Sequence, residues 1–178
     1  MQQVRRTLSH ESHYALLTME KLHIQDLDPR FPDELAQEPG CQHLRRCFSC
    51  GICTATCPVS VIEPSFSPSR ILRQILCGMR TELLASPALW YCLSCARCSF
   101  QCPQDVRFLD IIQGLRHLAV REGAVNSELP ERLRQGEVLL QEVRRRLIAR
   151  LMAHPVQEED LASLLADVVK DLKTVEQA

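Results

Sequence analysis

Aromatic residues are scarce: one Trp, two Tyr and five Phe make up 4% of the 178 residues, although 46% of the chain is apolar. The core must therefore be aliphatic. No stretch approaches the ~20 consecutive apolar residues of a membrane span, so any contact with a membrane is left to a partner. Glycine is also sparse, at six residues, and none forms G-x-G-x-x-G or a phosphate loop, which argues against a nucleotide site. The six histidines show no H-x-x-x-H pair, and although His10 and His13 are close, metal binding by histidine gains no support. Neither a helix-turn-helix signature nor a basic nucleic-acid-binding stripe is present, so no nucleic-acid partner is expected. The first ten residues, MQQVRRTLSH, hold no apolar signal segment. A cytoplasmic, thiol-reducing location is the expectation.

What the chain has in excess is cysteine. Eight of its ten cysteines form one eleven-residue pattern twice, Cys47-x2-Cys50-x2-Cys53-x3-Cys57-Pro58 and Cys92-x2-Cys95-x2-Cys98-x3-Cys102-Pro103. This spacing is the ligand signature of cubane iron–sulfur clusters, in which the fourth cysteine of a run ligates the other cluster. Cys47, Cys50, Cys53 and Cys102 are then expected to hold one [4Fe–4S] cluster, and Cys92, Cys95, Cys98 and Cys57 the second. Two intervening residues let a tight turn aim three thiolates at three irons. The fourth iron faces away and needs a ligand from elsewhere, while the proline redirects the chain. Crossed ligation couples metal binding to folding. Structural zinc prefers paired C-x2-C units across a longer loop, and disulfide frameworks belong to small secreted domains. Both fit poorly.

The charge is uneven. Residues 41–123 carry nine Arg, no Lys and five acids, against a net −1 for the whole chain. The Arg excess reads either as compensation for anionic clusters or as ordinary solvated charge.

The pattern is part of an internal repeat at an offset of 45, in which C-F-S-C-G-I-C-T-A-T-C-P (47–58) matches C-L-S-C-A-R-C-S-F-Q-C-P (92–103). A helical pattern follows each copy. Ser67-Pro68 supplies an N-cap and first-turn proline, Ile71, Leu72, Ile75 and Leu76 a stripe, and Gly78 a stop. After the second copy, Val106, Leu109, Ile112, Leu115 and Leu118 recur every three residues up to Gly123. A short helix is expected from Ser86-Pro87, and another over residues 12–23. Residues 24–41, with three prolines and Gly40, read as an extended arm. Beyond residue 124 a helical hairpin is expected, its helices at about 130–152 and 156–175, broken by His154-Pro155. Leu133, Leu140, Val143, Leu147 and Leu151 line the first helix and Leu161, Leu165, Val168, Leu172 and Val175 the second, at spacings that mean a packed seam. That seam either packs internally or docks a partner.

The fold class is therefore all-α. An N-terminal arm and helix (1–29) precede a helical two-cluster ferredoxin domain (30–123), and a C-terminal hairpin (124–178) follows it. Phe48, Leu93 and Phe100, between ligands, are expected to shield the clusters or pack in the core. Trp90 and Tyr91 read as packing residues. Cys77 reads as a small hydrophobe near a helix end, and Cys41, out of register with the repeat, as inert. No catalytic residue is identified.

Residues from Phe31 to Gly123 resemble the C-type subunits of heterodisulfide reductase and their bacterial relatives. C-F-S-C-G-I-C-T-A-T-C-P-V (47–59), L-W-Y-C-L-S-C-A-R-C-S-F-Q-C-P (89–103) and F-P-D-E-L (31–35) carry the resemblance. The family implies an electron relay within a complex, often of anaerobic metabolism. A flavin-containing A-type subunit supplies electrons, and a B-type subunit with CCG motifs reduces a disulfide. This chain has no Cys-Cys dipeptide and no flavin fingerprint. Two other readings stand beside this one. One is the iron–sulfur subunit of a membrane-associated dehydrogenase or quinone reductase, and the other is a cluster-based redox sensor.

Overall fold

Prolines, glycines and hydroxyl side chains set where the helices begin and end in this computed structural model, which describes residues 24–153 and 161–175. The described residues are helical, with no strand among them. The helices are α1 (Phe31–Leu35), α2 (Ile52–Ala55), α3 (Pro58–Ile62), α4 (Pro68–Leu76), α5 (Arg80–Leu84), α6 (Arg97–Phe100), α7 (Phe108–Arg121), α8 (Leu129–Ala153) and α9 (Leu161–Val175). Short 3-10 turns occupy Ile24–Asp26, Leu44–Arg46 and Pro87–Trp90. The chain divides into two compact units, residues 1–124 and 125–178. The helix expected over residues 12–23 lies outside the described residues.

The predicted stops of α4 and α7 share one mechanism. Gly78 adopts φ +76° and Gly123 φ +69°. Gly78 N–H donates to Ile75 O at 2.9 Å and Met79 N–H to Gln74 O at 3.0 Å. Gly123 N–H donates to Val120 O at 3.1 Å and Ala124 N–H to Ala119 O at 2.9 Å. Both are paired 5→2 and 6→1 closures around a left-handed residue, which satisfy the last carbonyls of the helix. At Gly78 any side chain would also overlap the Asp28 carbonyl oxygen. Asp28 N–H bonds Gly78 O at 2.8 Å, tying the turn to the incoming chain.

The core of the first unit is aliphatic with three phenylalanines. Phe31, Phe66 and Phe108 are each at most 2% exposed, among leucines and isoleucines of α4, α5 and α7. In α7 the buried stripe is Phe108, Ile111, Ile112, Leu115, Leu118 and Ala119. The three-residue periodicity of the sequence finds Ile112, Leu115 and Leu118 but misses Phe108 and Ile111, because a buried helix face spans both i+3 and i+4 positions. The segment read as an extended arm folds instead. Phe31, Leu35 and Cys41 within it are completely buried, and the helix starts because proline at an early position needs no N–H partner.

Arg80 fastens this arm to the rest. Its guanidinium reaches Glu34 at 2.7 Å, Asp28 at 3.2 Å and Glu122 at 2.6 Å, joining α1, α5 and the end of α7. Arg121 adds Glu34 at 3.1 Å and Glu38 at 3.0 Å. These two arginines serve carboxylates, so their charge is accounted for without reference to a cluster.

Cys41 is buried against α7. Its Sγ lies 3.4 Å from Asp110 O, and a Cβ built on Gly114 would come within 2.9 Å of it. Burial pushes the thiol up to about 12. The inert reading of Cys41 therefore has a packing cause. Cys77 differs from its expectation: it caps α4 with its side chain exposed.

In the second unit α8 runs 25 residues without burying one of them. Val168 of α9 is fully buried, while Val143, Leu147, Leu164 and Leu165 are half-buried. Leu133, Leu140 and Leu151 of the predicted seam are exposed. Of the predicted seam, Val143, Leu147, Leu165 and Val168 are the covered members among the residues whose burial is described. Polar faces of α8 are laced by Glu131–Arg134 at 2.7 Å and Glu142 with Arg145 and Arg146, each at 2.7 Å.

Candidate metal centres

Both copies of the cysteine pattern fold alike. Ser49 and Ser94 adopt φ +59° and +54°, and Gly51 and Ala96 follow at +81° and +60°. The residues on either side of Cys50 and Cys95 are thus left-handed. Such alternation turns successive backbone N–H groups toward one concave side, a geometry that receives anionic groups. One short helical turn then carries the third cysteine, Cys53 on α2 and Cys98 on α6.

A hydroxyl follows the third cysteine in each copy, and the sequence analysis singles out neither. Thr54 Oγ1 accepts the Ser69 N–H at 3.0 Å, and Ser99 Oγ accepts the Leu109 N–H at 3.1 Å. Ser69 and Leu109 are each the second residue of the helix that follows, α4 and α7. Each motif therefore caps its own downstream helix. A signal for this exists in the chain: the hydroxyls align in the repeat, and a helix start follows each. Around Thr54 the capping is richer, with Ser69 Oγ at 2.9 Å and Ser67 Oγ at 3.1 Å, and Ser67 also accepts the Arg70 N–H at 3.4 Å.

Two cavities collect the eight motif cysteines. The first is lined by Cys47, Cys50 and Cys53 of the first copy together with Cys98 and Cys102 of the second. The second is lined by Cys92, Cys95 and Cys98 together with Cys57 of the first copy. Cys98 borders both. Among the described residues no three His, Cys, Asp or Glu side chains close on one point as ligands of a single ion would. The thiols surround volumes instead. Four irons at four corners of a cubane need thiolates spread in that way, and five cysteines reach the first cavity and four the second, with Cys98 shared. The residues present fit two clusters.

Burial holds three of these thiols, Cys53, Cys92 and Cys98, toward the neutral form. Burial pushes Cys98 up to about 11, with Cys92 and Cys95 adding to it and the Ser99 hydroxyl opposing. Burial likewise raises Cys53 and Cys92 above the ordinary thiol value, against hydrogen bonds from Thr54 and from the Ser94 backbone. A metal-bound thiol is deprotonated outright, so cluster assembly must release protons from these side chains. Val106 N–H donates to Cys102 Sγ at 3.4 Å.

The rim of the cavities is apolar and open. Phe48 is 59% exposed, Leu93 67% and Phe100 89%. Phe48 borders the first cavity and Leu93 the second. The core-packing alternative for these three is thereby corrected: they sit on loops and a single-turn helix at the surface. Trp90 is partly buried beneath Arg116, whose guanidinium lies 5.4 Å from its ring centre. That supports its reading as a packing residue, though its indole N–H has no partner.

Residues 46–107 match the model of the 4Fe-4S dicluster domain. The chain is also similar to a protein of Archaeoglobus profundus that is named for its likeness to the C-type heterodisulfide reductase subunits, 32% identical over 57% of this chain and 54% of that one. The C-type subunit of the H(2):CoB-CoM heterodisulfide,ferredoxin reductase of Methanothermobacter thermautotrophicus is 32% identical over 55% and 52%. The C-type iron-sulfur subunit of the CoB–CoM heterodisulfide reductase of Methanopyrus kandleri is 33% identical over 56% and 55%. The chain spans about half the length of these relatives. The duplicated motif, the paired thiol cavities and the matched domain agree on two [4Fe–4S] clusters in an all-α fold among the described residues, in a chain similar to the C-type subunits of heterodisulfide reductase.

Proposed function

We propose that this chain is the electron-relay subunit of a heterodisulfide-reductase-like complex, standing between a flavin-containing A-type subunit and a CCG-motif B-type subunit. The observation that carries the reading is the pair of thiol cavities, each reached by cysteines of both motif copies, with exposed apolar side chains on their rims at Phe48 and Leu93. When bound, each cluster takes up and gives back one electron.

The chain's own residues hold, shield and present these centres. In this reading Cys47, Cys50, Cys53 and Cys102 hold one cluster, and Cys92, Cys95, Cys98 and Cys57 the other. Support comes from Cys102 bordering the first cavity and Cys57 the second. Leu72, Val106 and Phe108 form the inner wall of the first cavity and Val59, Phe66 and Phe108 that of the second, keeping water from that side. The open rim is where a partner's redox centre approaches, since apolar side chains there can be covered by a docking surface. No helix among the described residues is long and apolar enough to cross a membrane.

The test is an anaerobic pull-down of the native complex from the source cells. A flavoprotein and a CCG-motif subunit accompanying the chain establish the relay. Recovery with only a membrane cytochrome, or alone, overturns it.

A further inference from the structure

The two cavities differ in charge. The first is lined by no ionisable side chain other than its cysteines. The second is lined by Arg97, and Arg116 stands directly behind its first cysteine. Arg116 Nη2 donates to the Cys92 carbonyl at 3.1 Å and Nε to the Leu89 carbonyl at 2.8 Å. The same guanidinium stacks over the Trp90 ring. Two backbone acceptors and an aromatic face fix its position, so its charge is held beside Cys92.

We propose that Arg116, assisted by Arg97, makes the cluster held by Cys92, Cys95 and Cys98 the more easily reduced of the two. The inference needs both clusters of the proposed relay, and it is independent of which fourth cysteine completes each. Reduction adds one negative charge to a cluster that is already anionic. A fixed cation close by stabilises the reduced form more than the oxidised form, and net charge and hydrogen bonding are what set cluster potentials.

Two other influences run the opposite way. Cys98 is buried whereas its counterpart Cys53 is half-buried, and burial disfavours added charge. Hydrogen bonds to sulfur are also slightly richer on the first side, with the Thr54 hydroxyl and backbone N–H on Cys53 and Val106 N–H on Cys102, against Ser94 N–H on Cys92 and the Ser99 hydroxyl on Cys98. Both differences amount to a fraction of one thiol's surroundings. A full charge in a partly buried site outweighs a difference of that size. Electrons entering the chain therefore settle first on the side of α6 and α7, which gives the relay a direction.

The experiment is a redox titration of the cluster-loaded full chain, followed by electron paramagnetic resonance under anaerobic conditions. The wild type should show two one-electron steps. Arg116→Gln should weaken the higher-potential step at least tenfold in its reduction equilibrium constant, about 59 mV for one electron, and leave the lower step in place. Arg116→Lys, which keeps the charge, should shift it less, and the exposed Arg97→Gln should shift the same step in the same direction. Movement of the lower step, no movement at all, or equal shifts from Gln and Lys at position 116 overturn the inference. Should Arg116→Gln lose iron, Arg97→Gln alone decides: a lowered upper step supports the proposal and an unmoved one overturns it. Iron analysis separates the two levels. About eight irons per wild-type chain, two cubanes of four, uphold the two-cluster reading, and about half that number sinks it whatever the titration shows.

Discussion

The two motif loops share a backbone and differ in almost everything around it. Both place serine and then Gly or Ala in left-handed positions, both put the third cysteine on a single helical turn, and both use the next hydroxyl to cap a following helix. The first loop has glycine at its second left-handed site, a cluster of three hydroxyls behind it, and α3 starting at once at Pro58. The second has alanine there, a lone serine, and an irregular stretch before α7. It is backed by Arg116 and bordered by Arg97. Geometry is thus held constant while electrostatics varies, as two centres of the same ligand type need if they are to differ in potential.

The largest effect should come from exchanging the fourth cysteines. Cys57→Ser is expected to lose the cluster of the second motif, and Cys102→Ser that of the first, each leaving about half the iron in place by the four-iron count of one cubane. Combining each with the potential shift of Arg116→Gln identifies the survivor. If Cys57→Ser leaves an Arg116-sensitive cluster, the crossed assignment is wrong.

The next concerns Cys41, which follows α1 and packs at Gly114 in α7. Its thiol stays neutral in the fold up to about pH 12, while in the unfolded chain it ionises near the ordinary value of 9. The unfolded state therefore binds fewer protons between these limits. Stability from this source is complete below pH 9 and falls by up to ~1.4 kcal/mol per pH unit above it. Anaerobic chemical denaturation between pH 8 and 11 should show this slope, and Cys41→Ala should reduce it. Equal slopes in the two proteins would remove Cys41 as the cause.

Removing the capping hydroxyls should cost less. Thr54→Val and Ser99→Ala each take one acceptor from a helix N-terminus and are expected to destabilise by about 1 kcal/mol. Thr54→Val should cost more, because Ser67 and Ser69 lose a partner as well. Thermal unfolding of the cluster-loaded variants measures both, and a larger loss at Ser99 would contradict the ranking.

The smallest effect concerns the left-handed sites. Gly51 has open space around its missing Cβ, so Gly51→Ala tests backbone strain alone and should cost about 1 kcal/mol. Ala96→Gly should return a similar amount by relieving the strain at φ +60°. The same unfolding measurement checks them, and changes of the same sign would show that something other than handedness governs these loops.

Much of this is legible in the sequence because it is local. The ligand spacing, the repeat, the Ser67-Pro68 start and the stops at Gly78 and Gly123 are written within a few residues of where they act. What the sequence hides depends on residues far apart in the chain. Asp28, Glu34 and Glu122 meet at Arg80, and that meeting, with the burial of Phe31 and Leu35, turns an apparent arm into part of the core. Exposure at Phe48, Leu93 and Phe100 is hidden too, since an apolar residue between ligands looks the same in sequence whether it faces the core or a partner. Cys77 misleads for the opposite reason: its position at a helix end is evident, but the helix turns that end toward water.

The interleaving of the cavities also bears on how the protein is made. Cys102 borders the first cavity, 45 residues beyond Cys57. A nascent chain that has emerged only through α5 presents all four thiols of the first motif but not Cys102, which in the proposed crossed ligation completes the first site. If ligation is crossed as proposed, loading waits until both loops have left the ribosome and the domain has folded around them. Until then the exposed Cys50 and its neighbours are open to oxidants and to the wrong metal. On that reading, delivery of iron and sulfide has a narrow moment in the life of the chain, after synthesis of the domain and before the proposed partner covers its rim.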